Sequence, residues 1–445
     1  MGKVARVAAC CLGGRRSRAE GGKMKVRNSS RARRVVAVAA SFAVVVAACG
    51  GDSDEAADEP AAAEEPAAQP AEESADEPAA EPADEPAAEP ADEPAEEPTV
   101  SASEARVASF LQAVTELPLS APIAAPADVS VFYVQCSVPV CAEIAIGLEA
   151  ATAAAGWNYE TASHQDTPDT VASAFDAAIA AQPDVVLTSG NPREWFAPQL
   201  ATLSEQGIPV VAWSMPEGYE PGDGISVNLL TDDDYYFYGV LMADYAAVNS
   251  TTKDILFVGL PTFPVLSTVQ QGFEDEIAAE CPDCSVDVIE VAVTDLGTNL
   301  PGTIVSQLQS NPDLDMIVYA FGGMLFGVPE AIDAAGLGDQ AAAISQAGGP
   351  LNFGYITGGM HQVAEVGLAS ELMGWRAIDA AARILSGEGP GRAPARDLTE
   401  VAGRPDILAG GLPLQILEAG SIADPSALWP GVDGFQDQFS TLWAG

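Results

Sequence analysis

Cys136 and Cys141 stand five positions apart in Val134-Gln-Cys-Ser-Val-Pro-Val-Cys-Ala142, and Cys281 and Cys284 frame a Cys-Pro-Asp-Cys turn. Thiols so spaced can hold a metal, exchange disulfides or cross-link the chain. A tetrathiolate zinc site needs two Cys-x-x-Cys pairs and only Cys281-Pro-Asp-Cys284 qualifies, so no metal is expected. A redox Cys-x-x-Cys normally opens a helix; this one lies between a helical run ending near Glu280 and a strand beginning near Val286. Four such cysteines in an exported chain read as two short bridges, Cys136 to Cys141 and Cys281 to Cys284. Each adds about 2 kcal/mol in the chain-entropy account. The chain has only two histidines, His164 and His361, which excludes a His-rich zinc or copper centre. Both are read as surface residues. Neither a G-x-S-x-G elbow nor a phosphate-binding loop is present, so no catalytic residue and no cofactor are expected, and the chain is not read as an enzyme.

Positioning these residues requires regular elements. Strand candidates are 129–134, 185–188, 210–213, 225–228, 255–260, 286–293, 316–320 and 343–346; helix candidates are 142–155, 171–181, 195–206, 233–247, 267–280, 303–310 and 327–335. Strand–helix alternation with almost wholly apolar strands implies an α/β fold with parallel sheets covered on both faces. The run Ala178-Ile-Ala-Ala-Gln-Pro-Asp-Val-Val-Leu187 is echoed by Leu308-Gln-Ser-Asn-Pro-Asp-Leu-Asp-Met-Ile-Val318. Two such units in tandem predict two similar Rossmann-like lobes with a ligand cleft between them, at the C-terminal ends of the strands.

The N-terminal segment is organised differently. Residues 24–49 join a basic region to an apolar run too short for a comfortable membrane span, as in a signal peptide. The ending Val46-Ala-Ala-Cys49-Gly resembles the bacterial lipobox, which implies lipidation of Cys49; an ordinary secretory peptide with an incidental cysteine is the alternative. Residues 1–23 read as an upstream extension, so 1–48 is assigned as extension plus lipoprotein signal. From Gly51 to Val100 there are 19 acidic residues and no basic ones, with proline every few positions. Such a stretch cannot offset its chain entropy by burial, and 49–125 is read as a disordered acidic Pro/Ala/Glu-rich tether, with a partner-binding tail as the alternative. Residues 101–445 hold 44 of the 64 acidic residues and eight of the 19 basic ones, which argues against nucleic acid or anionic lipid as partner.

From about Val129 onward the chain resembles the periplasmic binding proteins of the ribose/galactose type (type I), the solute-binding components of ABC importers. The resemblance rests on the order of "GLEAATAAAGW", "AAIAAQPDVVLTS", "LSEQGIPVVAW", "VQQGFEDEI", "SNPDLDMIVYAFGG" and "AARILSGEG". It implies an N-terminal lobe of 126–230 plus 371–413, a C-terminal lobe of 231–370 plus 414–445, and a three-stranded hinge near Leu229, Ser370 and Leu414. The chain departs from the family where sugars are gripped: Val138-Pro-Val-Cys141 replaces Asn-Pro-Phe-Phe, Ser214-Met215 replaces Asp-Arg, and Phe321-Gly-Gly-Met324 replaces an Asn-Asp pair. Only Asn191-Pro192 is retained. A bridge from Cys136 to Cys141 would either pin the first cleft loop for binding or merely stabilise a turn. The ligand-binding residues so implied are Ser137, Asn191, Trp213, Ser214, Met215, Thr262, Phe263, Phe321, Met324, Gln346 and Glu371, with Trp375 beside them. Aromatic rings and methionines suit a flat or apolar solute, and a pocket short of polar partners penalises a polyhydroxylated one because each unpaired hydroxyl costs about 1–3 kcal/mol; the expected solute is sugar-like, the default of the resemblance, or weakly polar and aromatic.

The reading is therefore an extracytoplasmic, monomeric solute-binding protein, held at the cell membrane by an N-terminal lipid, that delivers a small-molecule solute to an ABC permease. The alternative is a receptor of the same fold presenting solute to a membrane sensor kinase.

Overall fold

The structure is a computed structural model; it describes residues 101–445 except 118, 120, 216–223 and 392–410. The signal segment 1–48, Cys49, the tether up to residue 100 and the 392–410 part of the first lobe lie outside the described residues.

Short β-branched runs form two sheets. The first joins β1 (Ser130–Gln135), β2 (Asn158–Ser163), β3 (Val185–Ser189), β4 (Val210–Trp213) and β5 (Val227–Asn228) in the order β2-β1-β3-β4-β5, all parallel. The second joins β6 (Asp254–Gly259), β7 (Ser285–Glu290), β8 (Met316–Tyr319), β9 (Ala342–Gln346), β10 (Gln362–Val366) and β11 (Ile416–Glu418) in the order β11-β10-β9-β8-β6-β7. Only the β10–β11 pairing is antiparallel. Without β11 the two orders are the same, so the chain contains one doubly wound sheet twice, as the echoed strand motifs imply. The inner strands β3, β4 and β8 are buried along their whole length. Edge strands β2 and β7 are largely exposed. That exposure is why the polar run Asn-Tyr-Glu-Thr-Ala-Ser escapes a hydrophobicity reading; β10 and β11 are further strands that pattern alone does not reveal.

The helices are α1 (Ala102–Phe110), α2 (Pro139–Ala155), α3 (Pro168–Ala181), α4 (Ala197–Gln206), α5 (Asp232–Asn249), α6 (Pro264–Glu280), α7 (Leu300–Ser310), α8 (Val328–Ala334), α9 (Pro350–Gly358), α10 (Ser370–Leu385) and α11 (Phe435–Leu442). Several start earlier than the apolar pattern suggests because a proline opens them, where its missing N–H costs nothing. The cap of α5 is Thr231, whose N–H and hydroxyl both donate to Asp234.

Helix α5 follows β5 of the first sheet and packs on α6 of the second, with Gly239 against the Val269 carbonyl and Gly272 against the Tyr236 carbonyl. Helix α10 follows β10 of the second sheet and packs back on α2 of the first, where Gly374 meets the backbone of Gly147 and Leu148. The expected hinge residues Leu229, Ser370 and Leu414 are all buried: Leu229 lies between β5 of the first sheet and β6 of the second, Ser370 opens α10 and Leu414 precedes β11.

Residues 102–110, expected at the end of the tether, are helical instead. Ser101 and Glu104 form a capping box, Phe110 meets Phe237 edge-on at 5.5 Å, and Arg106 pairs with Asp244 and Glu276 at 2.6 Å each. Docking supplies what this short helix lacks in propensity. The C-terminal helix α11 is held by a buried aromatic cluster in which Trp375 stacks on Trp443 with ring centroids 5.4 Å apart. Asp379 accepts from Arg376, Arg383 and the Trp443 indole N–H.

Candidate functional site

The C-terminal edges of the two sheets face each other across a cavity of about 60 Å3. The first sheet contributes the loop around Cys136 and Cys141, Ser189-Gly190 after β3, and Trp213-Ser214 after β4; the second contributes Phe263 to Leu266, Phe321 and Gln346-Ala347. Tyr235 and Leu368, just past two of the crossings between sheets, complete the wall. A side compartment of about 90 Å3 shares Val140, Phe321 and Ala347 with it and extends to Glu143. Spaces this small hold a few water molecules. A solute that needs a pocket of roughly 300 Å3 or more enters only if the lobes part.

The first loop is pinned twice. The structure joins Cys136 to Cys141, Cα atoms 5.7 Å apart, and it joins Cys281 to Cys284 at 5.3 Å. Asp166, with φ 52°, reaches the same loop: its Oδ2 accepts from the Ser137 N–H at 3.0 Å and from the Ser137 hydroxyl. His164, expected at the surface, lies buried beneath, 3.4 Å from Asp166 Oδ1 and 3.4 Å from Asn191 Nδ2. Burial lowers its pKa while Asp166 opposes the shift. His361 is buried too, between the Ala341 carbonyl and the Tyr319 hydroxyl, and burial pushes it down to about 4. His164 directly follows β2, and His361 directly precedes β10.

Trp213 lies at the floor of the cavity, its ring 5.5 Å from that of Tyr133. Ser214 turns there with φ 58°, and its hydroxyl meets the Tyr235 hydroxyl at 2.5 Å. Burial pushes the Tyr235 phenol up to about 12. Gln346 ends β9 with its Nε2 donating to the Ala320 carbonyl at 2.8 Å. That contact orients the amide, leaving Oε1 buried with no protein partner. Beneath the following loop, Glu365 accepts from the Ser345 hydroxyl, the Gly348 N–H and Gln362. Burial pushes Glu365 up to about 7 against these hydrogen bonds, with Glu143 adding to the rise.

Of the anticipated residues, Trp213, Ser214, Phe263, Phe321 and Gln346 line the cavity. The others lie elsewhere. Ser137 is turned to Asp166. Asn191 is buried against His164 and the Ser189 carbonyl. Met215 belongs to the first-lobe core with Phe175 and Phe196, and Met324 is fully buried in the second. Thr262 is half-buried in the loop after β6 without reaching the cavity wall. Glu371, in the first turn of α10, accepts from Gln436 of the C-terminal helix. Trp375 belongs to the aromatic cluster on that helix. Tyr235 and Glu143 were not anticipated; Tyr235 could have been found from its place one turn past the expected crossing at Leu229. No group of three or more metal-ligating side chains exists among the described residues, and no described helix is long and apolar enough to cross a membrane.

A solute-binding protein of an ABC transporter from Agrobacterium vitis, solved with alpha-D-tagatopyranose, superposes with TM-score 0.55 at 18% identity, covering 67% of this chain and 98% of that one. A glucose-galactose binding protein from Geobacillus stearothermophilus gives 0.54 at 17% identity, covering 67% and 100%. The 5-methylthioribose transporter solute-binding protein from Thermotoga lettingae gives 0.55 at 15% identity, covering 70% and 97%. No curated protein sequence matches. The profile of the periplasmic binding protein domain matches residues 130–389, from β1 through α10; the chain therefore belongs to the periplasmic binding protein family, whose members are non-enzymatic carriers of solutes.

Proposed function

We propose that this protein captures a weakly polar small solute between its two lobes outside the cytoplasm and delivers it to an ABC permease. The observation carrying this reading is the interlobe cavity, lined by Trp213, Phe263 and Phe321 together with Gln346, whose Oε1 is buried without a protein partner. Aromatic faces bury flat apolar surface, and a buried carbonyl without a partner favours a ligand that brings one donor. A hydroxyl-rich sugar would leave most of its polar groups facing carbon. The bound sugars of the fold neighbours support small-molecule capture, and the neighbour solved with 5-methylthioribose binds a sugar that carries an apolar thioether.

In this reading Cys49 carries the lipid and the acidic segment after it lifts a monomeric binding domain off the membrane. Exchange of Cys49 for Ala then releases the protein from the membrane fraction; retention there sinks the anchor. The solute reading is tested by melting temperature against sugars, nucleosides and ring compounds, since a ligand that binds only the folded state raises it. A rise with ring compounds that is lost in Trp213→Ala supports the proposal, and a rise with free hexose alone overturns the weakly polar assignment.

A further inference from the structure

The two interlobe compartments share a bias in their polar groups. The side chains lining them include no lysine, arginine or histidine. The polar side-chain oxygens that matter are acceptors: Gln346 Oε1 without a protein partner and the carboxylate of Glu143. Ser214 is already engaged with Tyr235.

Glu143 projects from α2 of the first lobe onto the backbone of Gly349 in the second, where a Cβ on Gly349 would collide with its carboxylate. It accepts from the Ser370 hydroxyl at 3.3 Å, a long hydrogen bond from a neutral donor, and no salt bridge among the described residues includes it. Behind Gly348 lies a second carboxyl, buried Glu365. Burial holds the Glu143 carboxyl above the usual carboxylate range. A half-buried carboxylate with no cation beside it is costly, and an organic cation removes that cost. Phe321 walls both compartments, and an aromatic face attracts a cation. A bare divalent metal ion fits poorly, because one carboxylate among apolar walls lacks the set of oxygen ligands it needs.

We propose that the captured solute carries an ammonium group, seated on the Glu143 carboxylate in the side compartment while its apolar body lies between Trp213, Phe263 and Phe321. This rests on the solute-binding reading of the cleft. Gln346 Oε1 takes a second donor from the solute, and anionic solutes are excluded. The net charge of −45 draws cationic solutes toward the cleft and repels anionic ones.

The test is calorimetry on the full-length chain with benzylamine, benzyl alcohol, benzoate, ribose and glucose. The amine is expected to bind at least tenfold tighter than the alcohol, and benzoate not to bind. Glu143→Gln is expected to bring the amine down to the affinity of the alcohol without changing the alcohol. Glu371→Gln, a nearby carboxyl outside the cavity, should leave both unchanged and controls for loss of surface charge. The proposal is overturned if the alcohol matches the amine, or if the amine keeps its affinity in Glu143→Gln. Binding of ribose or glucose with none of the amine overturns the ammonium assignment and leaves the solute-binding reading standing. Failure of every probe overturns both.

Discussion

Asp166 shows how one side chain decides the shape of a binding loop. Its carboxylate takes both the N–H and the hydroxyl of Ser137, inside the loop that the Cys136–Cys141 bridge closes. Asp166→Ala strands those donors and places alanine at φ 52°, so a loss of about 1–3 kcal/mol in urea denaturation is expected. Asp166→Asn keeps an acceptor and tolerates the left-handed backbone, and should lose less than half as much. Equal losses would remove the hydrogen-bonding explanation. The cysteines were legible from sequence because thiols are few and their spacing restricts what they can do. Asp166 and its partner His164 were not, since a loop aspartate and a loop histidine reveal nothing of what covers them. Met215 and Met324 show the converse: their residue type suited a pocket, yet both point into a lobe core.

At the scale of elements, the two helices that cross between sheets are seated by glycine. A Cβ on Gly374 of α10 would stand 2.5 Å from the Leu148 nitrogen and 2.6 Å from the Gly147 carbonyl carbon, both backbone atoms of α2. Gly374→Ala is expected to force these helices apart at a cost of about 1–3 kcal/mol. Gly354, exposed in the middle of α9, has nothing within 4 Å of such a Cβ. There the same exchange should stabilise by about 0.5–1 kcal/mol, because alanine loses less backbone entropy than glycine in a helix. Thermal denaturation of the two variants decides the matter, and shifts of the same sign would contradict the packing argument. The inner strands and the first helices could be read from their apolar runs. Strand β2 and helix α1 could not, because one is a solvated edge and the other is stabilised by docking against α5.

Across the whole molecule, two buried groups give opposite responses to pH. Glu365 titrates in the folded chain at about 7, against an ordinary 4.5. Between those values the folded state holds a proton that the unfolded state has released, so this contribution to stability is present at low pH and lost as pH rises, about 1.4 kcal/mol per pH unit. His361 titrates at about 4 against an ordinary 6.5. Its contribution is present above that range and lost as pH falls through it, with a slope of similar size and opposite sign. The two therefore offset each other in mildly acidic solution. Glu365→Gln leaves the histidine slope exposed, so between pH 6.5 and 4.5 the variant should lose stability relative to the parent by about 1.4 kcal/mol for each unit of acidification. Parallel stability–pH curves from urea denaturation would show that Glu365 is not the group responsible.

Composition and periodicity determined the parallel α/β layers, the duplicated unit and the pairing of near cysteines, because each follows from local spacing along the chain. They also indicated the strand ends at which loops gather, and the family resemblance pointed to Trp213, Ser214, Phe263, Phe321 and Gln346, which line the cavity there. Only the tertiary structure decided which way each loop side chain turns, and so moved Asn191, Met215, Met324 and Glu371 away from the cavity and brought Tyr235 and Glu143 to it. The reason is physical: the direction of a side chain at a strand end is settled by the turn that follows and by what packs from the opposite lobe. Those contacts join residues as far apart in sequence as Glu143 and Gly349.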